Sequence, residues 1–393
     1  MHLRSSSEIT NLRAELRTYF ANLLTDEVRA GLRGEGEAGG PVHAAIQAQM
    51  GSDGWLGIGW PIEYGGQGLG PDAQFVFYDE AYRAEAPIPM ITLTTVGPTL
   101  MSQGTQAQKD YFLPKILAGE CIFSIGYTEA EAGTDLASLT TRAVREGDEY
   151  VIRGSKVFTS GADGADWIWL AARTDPDAPK HKGISLILVP TTATGFSVTP
   201  IHTVGGLSTT ATYYDDVRVP VTNVVGKENE GWRMITTQLN HERVGLAAYS
   251  GICEGLLDDV HAWVVEQQTA EGKPLSAEPW VRHLLATSTA RLRAMRLMNW
   301  KLVETTTRGE LDPGSASAAK IFATETVIDV YRSLLEIVGT GASRITNAPW
   351  RFDTGRLALM NLSGQINTFG GGVAEIQREI VAWTTLGMAR KAR

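Results

Sequence analysis

The sequence predicts an α+β protein in which a β-domain lies between two helical regions. Three changes of texture predict it. From Glu8 to about Gly119, apolar residues recur at three- and four-residue spacing, as in Leu12, Leu16, Tyr19 and Leu23. From about Cys121 to Val225 they collect in short β-branched or aromatic runs punctuated by turn residues. After Gly231 the helical spacing returns and continues almost to Arg393. Strands grouped between helices, instead of alternating with them, argue against a doubly wound parallel sheet.

Taken in order, the first region is broken by Gly-rich stretches at 31–40 and 51–70, which read as loops. The strands are Tyr150-Val-Ile, Trp167-Ile-Trp-Leu, Gly183-Ile-Ser-Leu-Ile-Leu-Val and Phe196-Ser-Val, whose short spacing predicts an antiparallel domain. The last region opens with a long helix near Trp232. At roughly 150 residues per domain, 393 residues predict two or three domains.

Composition narrows the function. Lys and Arg number 35 against 44 Asp and Glu, a net charge of −9, which speaks against a nucleic-acid surface because such surfaces are basic. No apolar run approaches the roughly 18 residues of a membrane span. Cys121 and Cys253 are too few for a disulfide framework. Charged Arg4, Glu8 and Arg13 interrupt any signal-peptide core, so a cytoplasmic protein is expected.

Several motifs fail their structural test. Gly34, Gly36 and Gly39 satisfy G-x-G-x-x-G, yet they follow a helix, and Glu35 and Glu37 would repel a pyrophosphate. His241-Glu242 opens like a zinc-protease motif, but Gly245 stands where the second His is required, and no metal site is expected. Asn361-Leu-Ser is a formal glycosylation acceptor without meaning in a cytoplasmic chain.

The helix near Trp232 is more informative. Trp232, Ile235, Leu239, Glu242, Leu246, Tyr249, Cys253, Leu256 and Val260 form one apolar stripe containing a single acid. Buried carboxylates either pair with a cation, here Arg243 or another, or have their pKa raised toward the range of a general base. The stripe leaves both readings open.

Three segments resemble the acyl-CoA dehydrogenases: Trp-Pro-Ile-Glu-Tyr-Gly-Gly-Gln-Gly-Leu-Gly at 60–70, Tyr-Thr-Glu-Ala-Glu-Ala-Gly-Thr-Asp at 127–135, and Ala-Glu-Ile-Gln-Arg-Glu-Ile at 374–380. The resemblance spans nearly the whole chain in the family's order. It implies an N-terminal helical domain over 1–120, a middle antiparallel β-domain over 121–228 and a C-terminal four-helix bundle within 229–393. It also implies an FAD between the last two domains. The implied reaction removes an α proton and a β hydride from an acyl-CoA, and electrons pass to an electron-transfer flavoprotein.

The family's motifs then imply roles. Thr128 would bond the flavin ring edge with Tyr127 lying against the ring. Gly133 and Thr134 would line the cofactor loop, with Thr134 near the pyrophosphate and the substrate. Lys156-Val-Phe-Thr-Ser-Gly aligns with the family's Lys-x-Trp-Ile-Thr-Asn, which puts Phe158 on the isoalloxazine and Ser160 near the nitrogen that accepts hydride. Most members carry the base as a Glu in a C-terminal loop. Here that loop reads Gly370-Gly371-Gly372, and Gly371 holds the position of the Glu. Isovaleryl-type and long-chain members instead use the Glu of a Glu-Arg pair, which matches Glu242-Arg243. Glu242 becomes the expected base, Arg243 lies near the thioester and CoA, and Gly371 offers its N–H to the thioester oxygen.

Two motifs that lend contacts to a neighbour's FAD are damaged. The family's Arg-x-x-Phe-Gly-Lys reads Gln268-Thr-Ala-Glu271-Gly-Lys273, and its Gln-x-x-Gly-Gly-x-Gly reads Glu336-Ile-Val-Gly339-Thr-Gly341. A carboxylate at Glu336 opposes a pyrophosphate. The one-sided loss predicts a heterotetramer with a paralogous subunit, similar to mixed-subunit members that act on steroid side chains in actinobacteria. Two other readings fit the same residues: an acyl-CoA oxidase, and a catalytically silent partner subunit.

Overall fold

The computed structural model describes residues 6–35, 39–206, 208–238, 250–308, 312–339 and 356–389. The N-terminal region contains α1 (Ser7–Leu23), α2 (Asp26–Glu35), α3 (Pro41–Ser52), α4 (Gly70–Ala84), α5 (Gly97–Gln103) and α6 (Gln106–Leu117). Ser6 caps α1 by accepting the Ile9 N–H, and Thr105 and Gln108 form a reciprocal capping box on α6. In α1, Leu16 is buried, and Leu12, Tyr19 and Leu23 pack against the same core. Helix α4 runs through that core. Its buried Asp79 and Glu80 are neutralised by Arg13 and Arg17 of α1, as buried acids require.

The stretch 31–40, expected to be a loop, is helical as far as Glu35. A Cβ on Gly31 would lie 2.9 Å from Val42 Cγ2, so the bare backbone lets α2 pass close to α3. Glu35 then accepts the Val42 and His43 N–H groups at 2.7 and 3.0 Å, capping α3. The acid that counts against a phosphate loop therefore already occupies a helix N-terminus. Residues 51–70 contain short 3-10 turns at Trp55–Gly57 and Ile62–Tyr64.

The middle region holds β1 (Phe123–Gly126), β2 (Arg142–Glu146), β3 (Glu149–Lys156), β4 (Trp167–Arg173), β5 (Ile184–Pro190), β6 (Phe196–His202), β7 (Ser208–Pro220) and β8 (Val224–Val225). The strands lie in the order β6-β7-β3-β2-β4-β5-β8, with β1 also on β4. The continuous apolar runs form β4 and β5, buried along almost their whole length. The sheet is mixed, not purely antiparallel: β1 runs parallel to β4, and β2 meets β4 in parallel at Arg142 and Arg173. Residues 127–166 provide the long crossover that parallel neighbours need.

The C-terminal region contains α7 (231–238), α8 (Ser250–Glu266), α9 (Pro279–Thr307), α10 (Pro313–Val338), α11 (Arg356–Gly364) and α12 (Ala374–Thr384). Cys253, Leu256 and Val260 of the predicted stripe are buried against Val281, Leu285 and Leu292 of α9 and Val327, Val330 and Leu334 of α10. Helix α10 packs on α8, α9, α11 and α12, so the bundle carries α11 as an added short helix. No helix among the described residues is long and apolar enough to cross a membrane.

Candidate active site

The chain leaves β1 into a loop fastened by a buried ion pair. Glu129 accepts from Lys156 Nζ at 2.8 Å, from the Thr140 N–H and hydroxyl at 2.7 and 2.8 Å, and from the Thr141 N–H at 2.8 Å. Burial alone would raise the Glu129 carboxyl, but Lys156 and the threonine donors outweigh it and hold it down to about 2. Burial pulls the Lys156 ammonium down to about 8 despite that carboxylate. Both groups are therefore charged at neutral pH. Lys156 also donates to Tyr127 O at 3.0 Å.

The same contacts join the two predicted cofactor segments. Val157 N–H donates to Thr128 O at 2.9 Å and Thr159 N–H to Thr210 O at 3.0 Å. Ser124 Oγ donates to Ser160 O at 3.0 Å, and the Ser160 and Thr209 hydroxyls lie 2.8 Å apart. Between these anchors Phe158 is held at φ 59°, a left-handed conformation that is strained for a bulky side chain. Its ring is 63% exposed. Gly133 and Thr134 are exposed in the turn that follows Glu129. Neither Thr128 nor Thr134 gives its hydroxyl to another described residue.

Tyr127 is tied into the interior. Its ring is buried at 8% exposure, and its hydroxyl donates to Gln238 Oε1 while accepting from Trp169 Nε1. Gln238 Nε2 in turn donates to Thr99 Oγ1 at 2.9 Å. This chain of buried polar groups ties β1 and β4 to α5 and α7. The hydroxyl is committed to that junction and the residue is nearly buried, so little of its aromatic face is exposed.

Gly371 sits in a second cluster, in the loop between α11 and α12. Gly371 and Gly372 have φ of 65° and 103°, a region that favours glycine. The Phe369 and Gly370 N–H groups both donate to Ile366 O, whereas the Gly371 N–H donates to no described residue. The turn between β6 and β7 reaches this side of the bundle, where Gly205 packs on Ser363 and Gly206 on Leu359. Glu242 and Arg243 lie outside the described residues, as do Leu239, Leu246 and Tyr249 of the stripe. An open cleft of about 520 Å³ lies at the start of α7, lined by Asp175, His181, Lys182, Asn229, Trp232 and Arg233, with the His181 and Trp232 rings edge to face at 5.1 Å.

Three family models match the chain: the N-terminal domain of the acyl-CoA dehydrogenases over residues 6–120, the middle domain over 124–217 and the C-terminal domain over 229–386. The chain belongs to the acyl-CoA dehydrogenase family. This acyl-CoA dehydrogenase is 48% identical to acyl-CoA dehydrogenase FadE26 of Mycobacterium tuberculosis and 47% identical to FadE29 of the same organism, each over the full length of both chains. Among solved structures it is similar to the steroid ACAD Tcur3481-Tcur3483, with 53% identity, a TM-score of 0.93 and both chains fully covered. It is also similar to the ChsE4-ChsE5 complex of Mycobacterium tuberculosis, with 47% identity and a TM-score of 0.91, covering 99% of this chain and 100% of that one.

In this acyl-CoA dehydrogenase, the motifs alone do not single out Glu129, Lys156 and Gln238, which fasten the loops of Thr128 and Phe158 and the Tyr127 hydroxyl, nor the buried Lys320 of α10, which donates to Thr368 O and Gly372 O in the loop of Gly371. Glu129 and Lys156 stand inside the quoted motifs, and Gln238 and Lys320 are buried polar residues on helices. The last two repeat the signal that singled out Glu242.

Proposed function

We propose that this acyl-CoA dehydrogenase introduces a 2,3 double bond into a bulky acyl-CoA, with a steroid side-chain thioester as the leading class. We further assign it as the flavin-side subunit of a heterotetramer with a paralogous chain. The substrate class and the mixed assembly are supported by the steroid ACAD and the two-component complex to which the chain is similar. The exposed Glu336 on α10 also supports a partner, since its carboxylate opposes the pyrophosphate contact made there in homotetrameric members. The buried free thiols suit a cytoplasmic enzyme.

The observation that carries the cofactor reading is Phe158, strained, exposed and clamped between hydroxyl-bearing segments. A flat ring system covering Phe158 would remove its exposed apolar face, and the open hydroxyls of Thr128 and Thr134 supply donors at the edge. FAD fits this arrangement, with Gly133, Phe158, Ser160 and the Tyr127 main chain completing its surroundings. When bound, FAD supplies the acceptor for the β hydride.

The chain's own residues do the rest. Glu242 takes the α proton, and Arg243 is assigned to binding of the thioester and CoA. The Gly371 N–H, with no acceptor among the described residues, donates to the thioester oxygen as negative charge gathers there. Electrons leave to an electron-transfer flavoprotein.

Glu242→Gln tests the assignment. A positioned base contributes about 10²–10⁴-fold, so turnover of the FAD-loaded complex should fall by that factor with FAD retained. Unchanged turnover would remove Glu242 as the base and favour a silent subunit. Peroxide formation under air in place of electron transfer would mark an oxidase.

A further inference from the structure

Helix α10 carries a lysine in a stretch otherwise closed by small and apolar side chains. Ala316, Ser317, Ala319 and Ala323 are buried, and Lys320 itself is only 4% exposed. Lysine is rarely enclosed in this way unless its ammonium is satisfied. Lys320 Nζ donates to Gly372 O at 2.7 Å and to Thr368 O at 3.3 Å. These carbonyls bracket Phe369, Gly370 and Gly371.

The bracketed segment needs such a hold. Two consecutive glycines in left-handed conformations have little intrinsic preference for one arrangement, and most of their freedom must be removed by neighbours. Below the loop, Gln377 of α12 fills the space a Cβ on Gly372 would need, with its Nε2 only 2.5 Å from that position. On the inner side, Ile366 O binds the Phe369 and Gly370 N–H groups at 3.1 and 2.8 Å. Lys320 holds the carbonyls on either side of Gly371, and among the described residues the Gly371 N–H has no acceptor.

We infer that Lys320 is a positioning residue for the dehydrogenation: by binding the Thr368 and Gly372 carbonyls, it sets the aim of the Gly371 N–H at the thioester oxygen. This rests on the reading of Gly371 as the oxyanion donor. An N–H that must meet a developing charge works only when held in place beforehand, and removing such a donor costs about 10²–10³-fold in turnover. A donor left in place but misaimed loses part of that factor.

The test uses the FAD-loaded enzyme, purified with the subunit that accompanies it, and dimethylaminocinnamoyl-CoA, a thioester whose absorption moves to the red when its carbonyl is polarised. In the wild type the probe should shift to the red on binding. Lys320→Met should lose most of that shift and about 10–100-fold of kcat, with KM and FAD content unchanged. Lys320→Arg, which reaches the same carbonyls, should recover both. If Lys320→Met does not load FAD, Lys320→Gln, which keeps one donor group, is read in the same way. A Met variant with full probe shift and full kcat would overturn the inference while leaving Gly371 as the donor. So would one that loses kcat only in proportion to lost FAD. No red shift in the wild type would instead remove Gly371 as the donor, and the role of Lys320 with it.

Discussion

The Lys156–Glu129 pair in the β-domain and the Arg291–Asp329 pair on the C-terminal bundle join charges of the same kind in opposite surroundings. The first is sealed, its side chains 0% and 8% exposed, and it locks the loops that carry Thr128, Phe158 and Ser160. The second is open, 45% and 46% exposed, on the rim of a groove of about 330 Å³ that also holds Glu336. Around the first, Glu129 and Lys156 are satisfied within the chain by the Thr140 and Thr141 donors and the Tyr127 carbonyl. Beside the second lies Glu336, one of the positions where the sequence departs from the family's motif for a neighbouring cofactor. The contrast teaches that burial turns an ion pair into a clamp on the loops beside it, whereas exposure leaves the same kind of pair open to other contacts.

The largest expected effect comes from breaking the sealed pair. Lys156→Met would leave Glu129 buried without its cation, a loss of about 3–5 kcal/mol. Thermal unfolding and FAD content should both fall, and adding Glu129→Gln should recover part of each. The pair also sets a pH dependence. Glu129 is held at about 2, below its usual range, so its contribution is complete above the unfolded value of about 4.3 and is lost as pH falls from there toward 2. Unfolding temperatures of the wild type and Glu129→Gln should converge across that window; a constant gap would show that the carboxylate is not held down.

A smaller effect is expected at Phe158. Phe158→Gly relieves about 1–2 kcal/mol of left-handed strain, offset by about 0.5–1 kcal/mol of glycine entropy. The flavin-free chain should be no less stable, yet should release FAD faster. Unchanged FAD retention would show that the exposed ring does not serve the cofactor. The smallest effect belongs to the open pair. Arg291→Ala should change the chain's own stability by less than about 1 kcal/mol, but should weaken its association with the partner subunit in a titration of the separated chains. A change confined to the isolated chain would blur the contrast.

The order of helices, strands and helices was legible because periods of 3.6 and 2 residues are written locally. The parallel pairing of β1 with β4 was not, because an apolar strand carries no mark of its neighbour's direction. The helical path of α2 through Gly31 and Gly34 depends on α3 packing alongside, which no single segment reveals. At the site, the motifs pointed to Thr128, Phe158 and Ser160, whose loops the fold ties together, but they did not reveal the hydrogen bonds of Tyr127. Its commitment to Gln238 and Trp169 is a contact across three regions of the chain. Lys320 was within reach of sequence reasoning, because a cation within the small-residue stretch of α10 is an anomaly similar to an acid on an apolar stripe.

The stoichiometry of FAD in the native assembly tests the proposed mixed assembly most directly. Native mass spectrometry of the chain co-expressed with its paralogous partner should show a heterotetramer with one FAD for each pair of unlike subunits, and the chain expressed alone should hold FAD poorly. A stable homotetramer of this chain, with one FAD per subunit and full dehydrogenase activity, would contradict the account.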